Sequence, residues 1–391
     1  MKAIVFRGVG DIRLDDVPEP RIEQPTDAVV RLTTSAICGT DLHLVRGTFP
    51  GMQPGTILGH EGVGIVEQVG PDVRNMQPGD RVVVPSTIGC GSCSYCRAGY
   101  FSQCDRANPN GPQAGTAFYG GPKQSGPFNG MQAEQVRVPF ANVSLVKLPR
   151  DVPDDQAILL SDIFPTAWFG ATLAEIQPGE VVVVFGCGPV GQLTIASALH
   201  MRAGRVLAVD TIDARLELAR AQGAEVIDFG AEDPVGAIRR LTNGIGADRA
   251  IDAVGVDANA APARNGPPHP RPSALTNNWR PGNAPDQALR WAVEAVAKAG
   301  TLAIIGVYPP SLQSFPIGQA MHKNLSIQMG KCNHRAYIPL LIDLVQSGAI
   351  DPSQVVTQHE RMTDAIEAYK AFDTRQPGWI KVELATAPAS A

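Results

Sequence analysis

Three things are missing from this 391-residue chain, and each absence narrows what it does. No apolar run is long enough to span a bilayer, which excludes a helical membrane protein. No run of lysine or arginine occurs and the net charge is −5, which excludes nucleic acid and anionic membrane surfaces as expected partners. The opening stretch, MKAIVFRGVGD, has neither the apolar segment nor the cleavage site of an export signal, so the cytoplasm is the expected location. Cysteine is scarce as well, seven residues in all, and without an export signal these are expected to be thiols or metal ligands rather than disulfides. What is present suits a buried core: 44% of residues are apolar and 18% charged, which leaves no room for a disordered chain.

The length allows about two domains at roughly 100–200 residues each. Residues 1–150 are rich in Gly, Pro, Val and Thr, with short β-type runs at 28–32, 64–69 and 81–84, which predicts an all-β or partly barrelled segment. From about Pro153 the rhythm changes. Residues 181–185 form the continuous apolar run of a strand covered on both faces, and 189–202 repeat apolar residues at helical spacing. Strands at 205–209, 249–253 and 301–305 alternate with helices at 213–222 and 287–298, the signature of a doubly wound parallel sheet. Helices near 336–347 and 363–372 and a strand at 379–384 are expected to return to the first domain. Two Gly-, Pro- and Asn-rich stretches, 108–130 and 256–285, exceed the ordinary loop length of about 12–15 residues and are expected to be functional lids or disordered. There is no internal repeat.

Gly186-Cys187-Gly188-Pro189-Val190-Gly191 follows a strand and opens a helix, and Asp210 ends the next strand nineteen residues later. The pieces have separate tasks. Gly186 permits the tight turn, Gly188 lets backbone approach a pyrophosphate, and Gly191 lets helix and strand pack, while the helix N-terminus attracts phosphate charge. An acid at the second strand end accepts both ribose hydroxyls and repels a 2′-phosphate, so the expected cofactor is NAD rather than NADP. Arg215, five residues on, is expected either to stack over adenine or to lie exposed on its helix.

Four cysteines, Cys90, Cys93, Cys96 and Cys104, crowd fifteen residues. Four thiolates at that spacing suit tetrahedral zinc and leave no open position, so the lobe at about 88–106 is read as structural. Cys38 stands apart, with His60 downstream. One thiolate and one imidazole supply half of a second tetrahedral site; a catalytic zinc takes three protein ligands and keeps one position open.

Cys38-Gly-Thr-Asp-x-x-His43, Gly59-His60-Glu61-Gly-x-Gly, Gly79-Asp80-Arg-Val, the four-cysteine lobe and the glycine turn stand in the order found in zinc-dependent medium-chain alcohol dehydrogenases, and the chain resembles that family over essentially its whole length. The resemblance implies a GroES-like, mostly β catalytic domain with a structural zinc lobe over 1–155. It implies a Rossmann domain over 156–330, with 331–391 returning to the catalytic domain. It also supplies the missing ligand: in Ser161-Asp162-Ile163-Phe164-Pro165-Thr166-Ala167-Trp168, Asp162 stands where many members carry cysteine or glutamate. That aspartate, the Ile-Phe-Pro-Thr after it and the two long loops are similar to the glutathione-independent formaldehyde dehydrogenase branch.

The same resemblance distributes roles. Cys38, His60 and Asp162 hold catalytic zinc, and Glu61 is the carboxylate behind it. Thr40 contacts the substrate oxygen and His43 ends a proton relay through the nicotinamide ribose. Thr166, Ile305, Gly306 and Val307 contact the nicotinamide, and Lys381 takes a basic place near the pyrophosphate. The activity so implied is reversible hydride transfer between a small alcohol or aldehyde and NAD(H), with two zinc ions per chain, in a homodimer or homotetramer. Polyol or threonine-type dehydrogenases share the scaffold, and non-catalytic dinucleotide-binding relatives generally lack the catalytic-zinc residues. Further expectations are that Phe164, Trp168 and Tyr119 either narrow the pocket or pack in the core, that 256–285 drapes over the adenosine half, and that Cys187 and Cys332 are small buried hydrophobes. Asn333, His334 and Arg335 form a polar cluster with no assigned role.

Overall fold

The computed structural model describes residues 1–258, 284–309, 312 and 314–386. Most of the 256–285 stretch, with the role expected of it, therefore lies outside the described residues. The described chain divides into two compact units, one of residues 1–165 and 332–386, the other running from 166 to 331.

The first unit is built on a seven-stranded sheet in the order Val356–Arg361, Lys381–Ala385, Ala28–Ile37, Gly62–Val69, Arg81–Val84, Val146–Lys147, with Gln135–Val138 also paired to Ala28–Ile37. Ala28–Ile37 is the pivot. Its residues 28–31 pair with Gln135–Val138, its residues 34–37 pair with the C-terminal strand, and Gly62–Val69 lies along its other side. With partners on both edges and packing on both faces, eight of its ten residues are buried. The expected β character of this region is present, closed off by a strand from the far end of the chain.

In the second unit six strands run parallel in the order Glu225–Asp228, Arg205–Asp210, Val181–Phe185, Ala247–Asp252, Val296–Ile304, Ser326–Met329. This is the doubly wound sheet that the β-α alternation predicts. Two expected boundaries move. The helix expected over 287–298 stops at Ala295 and a strand begins at Val296. That strand carries an irregularity where Ala299 takes a left-handed φ of 60°, so the regular pairing resumes only at Thr301. The short strands at 225–228 and 326–329, too brief to show a period, were not anticipated from the sequence.

The stretch 108–130 is pinned rather than loose. The Asn108 amide donates to the carbonyls of Gly115 and Gln124, Gly120 N–H donates to Phe128, and Tyr119 is fully buried. Together with Gln53 and Thr56 this stretch lines a cavity of about 520 Å³. Among the described residues no helix is long and apolar enough to cross a membrane.

Candidate metal and dinucleotide sites

Strand register assembles the first site. Cys38 directly follows strand Ala28–Ile37, and Glu61 directly precedes Gly62–Val69, whose Gly62 is opposite Ser35. Lys381 opens the neighbouring strand, where Val382 is opposite Ile37. Three adjacent strands therefore end at one place and deliver Cys38, His60–Glu61 and Lys381 there. Ser161 adds the fourth segment: its hydroxyl donates to Val84 and accepts from the Gly62 amide, and its carbonyl accepts from Ser86 N–H. That clamp carries Asp162 to the strand ends.

The ligand atoms of Cys38, His60, Glu61 and Asp162 all lie within 4.8 Å of one another. Cys38 Sγ is 3.6 Å from Asp162 Oδ2, and His60 Nε2 is 3.2 Å from the same oxygen. A tetrahedral zinc, with Zn–S of about 2.3 Å and Zn–N and Zn–O of about 2.0–2.1 Å, sets ligand–ligand edges of roughly 3.5 and 3.3 Å. The donors are already spaced for the ion. A second observation agrees: Glu61 Oε1 is buried and has no hydrogen-bond partner among the described residues. A buried carboxylate oxygen left bare carries a desolvation cost that a nearby cation relieves.

The electrostatics point the same way. Burial works against an imidazolium at His60, yet Asp41, Cys38 and Asp162 outweigh it and raise its pKa well above the ordinary value. Burial also works against the Asp162 carboxylate, but His334 and His60 hold its pKa well below the carboxylate range. Burial, and then the Glu61 charge, push the Cys38 thiol up. The carboxylates of Asp41 and Asp162 on either side of one imidazole form a pocket that draws in positive charge.

Further residues support this set. Asp41, on helix Gly39–Val45, accepts from Cys38 N–H at 2.9 Å and lies 3.1 Å from His60 Nδ1, near enough for charge pairing though not aligned as a hydrogen bond. Gln132 donates to Asp41 Oδ2 and to the Ala36 carbonyl, and accepts from Tyr369. Thr40 is half-buried on the same helix; His43 is buried, its ring edge-on to Phe49 at 5.4 Å. Lys381 departs from expectation. Its ammonium is fully buried, paired with Glu61 Oε2 and donating to the Ile37 carbonyl. Its charge answers the carboxylate behind the metal site, because strand pairing places residue 381 beside Ile37. Tyr119 and Phe164 are likewise wholly buried, and Trp168 stacks at a tilt on His200.

The cysteine lobe is a separate centre. All four thiols are free and their sulfurs lie within 4.8 Å of one another. Cys93 and Cys104 sulfurs are 3.9 Å apart, against roughly 3.8 Å for the edge of a zinc tetrathiolate. Backbone amides of residues 90, 92, 93, 96 and 107 point at the sulfurs of Cys90, Cys93 and Cys104 at 3.2–3.4 Å. Burial pushes the Cys90 thiol up, and hydrogen bonds with the Ser92 hydroxyl and the Ser92 and Cys93 amides bring it down to about 6. These amides stabilise thiolate, the form that binds metal.

In the second unit the glycine turn is sterically explained. Gly186 has a φ of 88°, and a Cβ on Gly191 would fall 1.8 Å from the Gly186 carbonyl oxygen. Gly188 is different: a Cβ there meets only Arg215, at 3.7 Å, so the turn leaves room above it for a phosphate. Pro189 and Val190 open helix Pro189–His200, whose N-terminus faces that space. Asp210 is buried, accepts from the amides of Cys187, Thr211 and Ile212, and has Arg215 Nη1 at 3.7 Å. Two polar anchors carry no sequence signal: Gln192 braces this turn, and Asp252 holds the neighbouring segment after strand Ala247–Asp252. Gln192 donates to the carbonyls of Cys187 and Arg215, and Asp252, at the end of the next strand, accepts from Tyr308 and the amides of Val254 and Gly255. Ile305 and Gly306 donate their amides to the Asp252 carbonyl, and Val307 accepts from Val256. These segments share the carboxyl edge of the sheet with the glycine turn, where doubly wound folds bind dinucleotides. Thr166 lies half-buried at the beginning of this unit.

Comparison with known proteins places these two sites in context. Residues 24–150 match the alcohol dehydrogenase GroES-like domain and residues 189–263 the zinc-binding dehydrogenase domain. The chain is 37% identical to the zinc-type alcohol dehydrogenase-like protein AdhB of Bacillus subtilis, across 98% of this chain and 100% of that one. It is 31% identical to a glutathione-independent formaldehyde dehydrogenase of Pseudomonas aeruginosa, across 96% of each. Among solved structures, the alcohol dehydrogenase TADH from Thermus sp. ATN1 superposes with a TM-score of 0.84 at 35% identity, covering 98% of this chain and 99% of its own. The chain therefore belongs to the zinc-dependent medium-chain alcohol dehydrogenase family, oxidoreductases that move a hydride between a small alcohol or aldehyde and NAD(H).

Proposed function

We propose that the protein is an NAD-dependent dehydrogenase of short alcohols or aldehydes with formaldehyde dehydrogenase-like preference, whose catalytic zinc is held by Cys38, His60 and Asp162. The observation that carries this reading is the convergence of those three donors beside the bare oxygen of Glu61. Zinc held there would supply Lewis-acid polarisation of the substrate oxygen, and a bound nicotinamide dinucleotide would supply the hydride chemistry. The remaining work belongs to side chains. Thr40 Oγ1 would accept a hydrogen bond from the substrate hydroxyl, and the His43 imidazole, one helical turn on and buried against Phe49, would take up the released proton as the general base. Glu61 holds negative charge behind the metal with Lys381 as its counter-ion. Cys90, Cys93, Cys96 and Cys104 hold the second zinc, which only braces the fold.

Dinucleotide binding falls to the second unit. The turn from Gly186 to Gly191 cradles the pyrophosphate, and Thr166, Ile305, Gly306 and Val307 receive the nicotinamide. Asp210 favours NAD, because a carboxylate repels a 2′-phosphate, and Arg215 packs on the adenosine. With all seven cysteines free, a reducing compartment, the cytoplasm, suits the protein. A homodimer or homotetramer fits the edge strand Ser326–Met329 and the exposed Ile317, Met321 and Met329 nearby. Met329→Lys is expected to shift the light-scattering mass to the monomer.

The deciding experiment is a substrate screen on the purified protein, following NADH with formaldehyde, short and aromatic alcohols, polyols and threonine. The proposal expects turnover with the short alcohols and with formaldehyde, at two zinc ions per chain. Exclusive turnover of polyols or threonine, or faster turnover with NADP, overturns it.

A further inference from the structure

The polar run Asn333-His334-Arg335, left without a task by sequence reading, lies at the start of helix His334–Gln346. His334 is buried, and its two ring nitrogens face different side chains. Its Nε2 is 2.7 Å from Asp162 Oδ1, and its Nδ1 is 3.1 Å from Thr87 Oγ1. A carboxylate oxygen only accepts, so Nε2 carries the hydrogen and donates to Asp162, while Nδ1 pairs with the Thr87 hydroxyl. The other oxygen of the same carboxylate, Oδ2, faces Cys38 Sγ and His60 Nε2. Asp162 is thus divided: one oxygen toward the metal donors, the other held by His334.

Asn333 continues the connection. Its Oδ1 accepts from both the amide and the hydroxyl of Ser102, at 3.0 and 2.9 Å. Ser102 lies in the short helical turn Phe101–Gln103, between Cys96 and Cys104 of the cysteine lobe. Asn333 occupies the N-cap position of its helix and makes no side-chain cap there. Asparagine is a favoured N-cap because that oxygen ordinarily binds the helix's own amides; here it binds the lobe instead.

We infer that His334 is a positioning residue for the carboxylate ligand of the catalytic zinc, and that Asn333 makes its placement depend on the folded cysteine lobe. The inference rests on the proposed role of Asp162 as ligand. The physical need is specific to a carboxylate. A cysteine ligand presents one sulfur, whereas an aspartate presents two oxygens on a bond free to rotate, so a fixed donor on the second oxygen selects which one faces the metal. Hydrogen bonds of this kind to metal-bound side chains alter affinity by about 10–100-fold.

The test uses two substitutions that keep different halves of the imidazole. His334→Gln places an amide N–H where Nε2 stood and retains the contact to Asp162. His334→Asn places its amide where Nδ1 stood, toward Thr87, and loses it. Zinc affinity is read by chelator competition on the full-length protein, with the d–d absorption of the cobalt-exchanged protein as the spectroscopic signature. The expected result is near wild-type affinity for His334→Gln and about 10–100-fold weaker binding of one zinc for His334→Asn, with shifted cobalt bands and the lobe zinc retained. Asn333→Ala is expected to weaken the same zinc by a smaller factor. Equal affinities and unchanged cobalt bands in the two His334 variants overturn the inference. Cys38→Ala separates the two levels: if it keeps both zinc ions the ligand assignment itself falls, and if it loses one while His334→Asn does not, only the positioning role falls.

Discussion

The two metal centres of this chain are built in opposite ways. The cysteine lobe takes four identical ligands from fifteen consecutive residues and surrounds them with backbone amides. The other cluster brings together a thiol, an imidazole and two carboxylates from positions 38, 60, 61 and 162, each at the end of a strand or beside one. Uniform thiolates fill every position of a tetrahedron and so fix structure. The mixed set of three proposed here would keep one position open, and Glu61, Lys381, Asp41 and His334 stand around it. The lesson is that closure and local encoding go together here, while an open site needs supports from across the unit.

The sharpest way to break that contrast is Cys38→Ala or His60→Ala. Losing the Lewis acid removes several kcal/mol of transition-state stabilisation, so turnover is expected to fall on the order of a thousandfold or more, with the thermal midpoint little changed. Steady-state kinetics and a melting curve on the same sample check both halves. Next in size is Cys96→Ala in the lobe, expected to cost several kcal/mol of stability and one zinc per chain. Calorimetry with metal analysis reads this directly. A midpoint shift no larger than that of Cys38→Ala would erase the distinction between the centres.

A gentler change sharpens the comparison. Asp162→Cys converts the donors to the two-cysteine, one-histidine set also known for catalytic zinc. Zinc is expected to stay, with kcat/KM reduced about tenfold because the substitution alters the charge and the reach of the ligand. His334 should then cease to matter for zinc affinity, which the chelator assay measures.

The smallest effect is expected where no metal is involved. In the second unit Arg249 grips Glu180 through two hydrogen bonds at 2.7 and 2.8 Å, which hold the carboxyl below its usual 4.5. A depressed acid contributes stability above that value and loses it as pH falls through the lower folded-state pKa. Arg249→Met is therefore expected to cost up to about 1 kcal/mol at neutral pH and to flatten the fall in melting temperature in acid. An unchanged acid profile would show the pair to be inert.

Much of this is legible in the sequence. The glycine turn, its acid at position 210 and the four-cysteine lobe announce themselves because their parts are neighbours in the chain. The parallel sheet shows through its buried apolar runs. Asp162 is another matter: nothing in its local sequence marks an isolated aspartate as a ligand, and it was named only through family resemblance. His334 was noticed without a role, since its partners Thr87 and Asp162 stand 247 and 172 residues away. Lys381 was assigned to a phosphate, and the register of the last strand gives it to Glu61 instead.

What the sequence determined by itself is the chemistry available: thiolates at zinc spacing, a phosphate-binding turn, and strands and helices in an order that closes a parallel sheet. What only the tertiary structure decided is which distant side chains share a charge or a proton. The physical reason is that local motifs meet through bond geometry over a few residues, whereas the open metal centre exists only once three neighbouring strands fix where their ends fall.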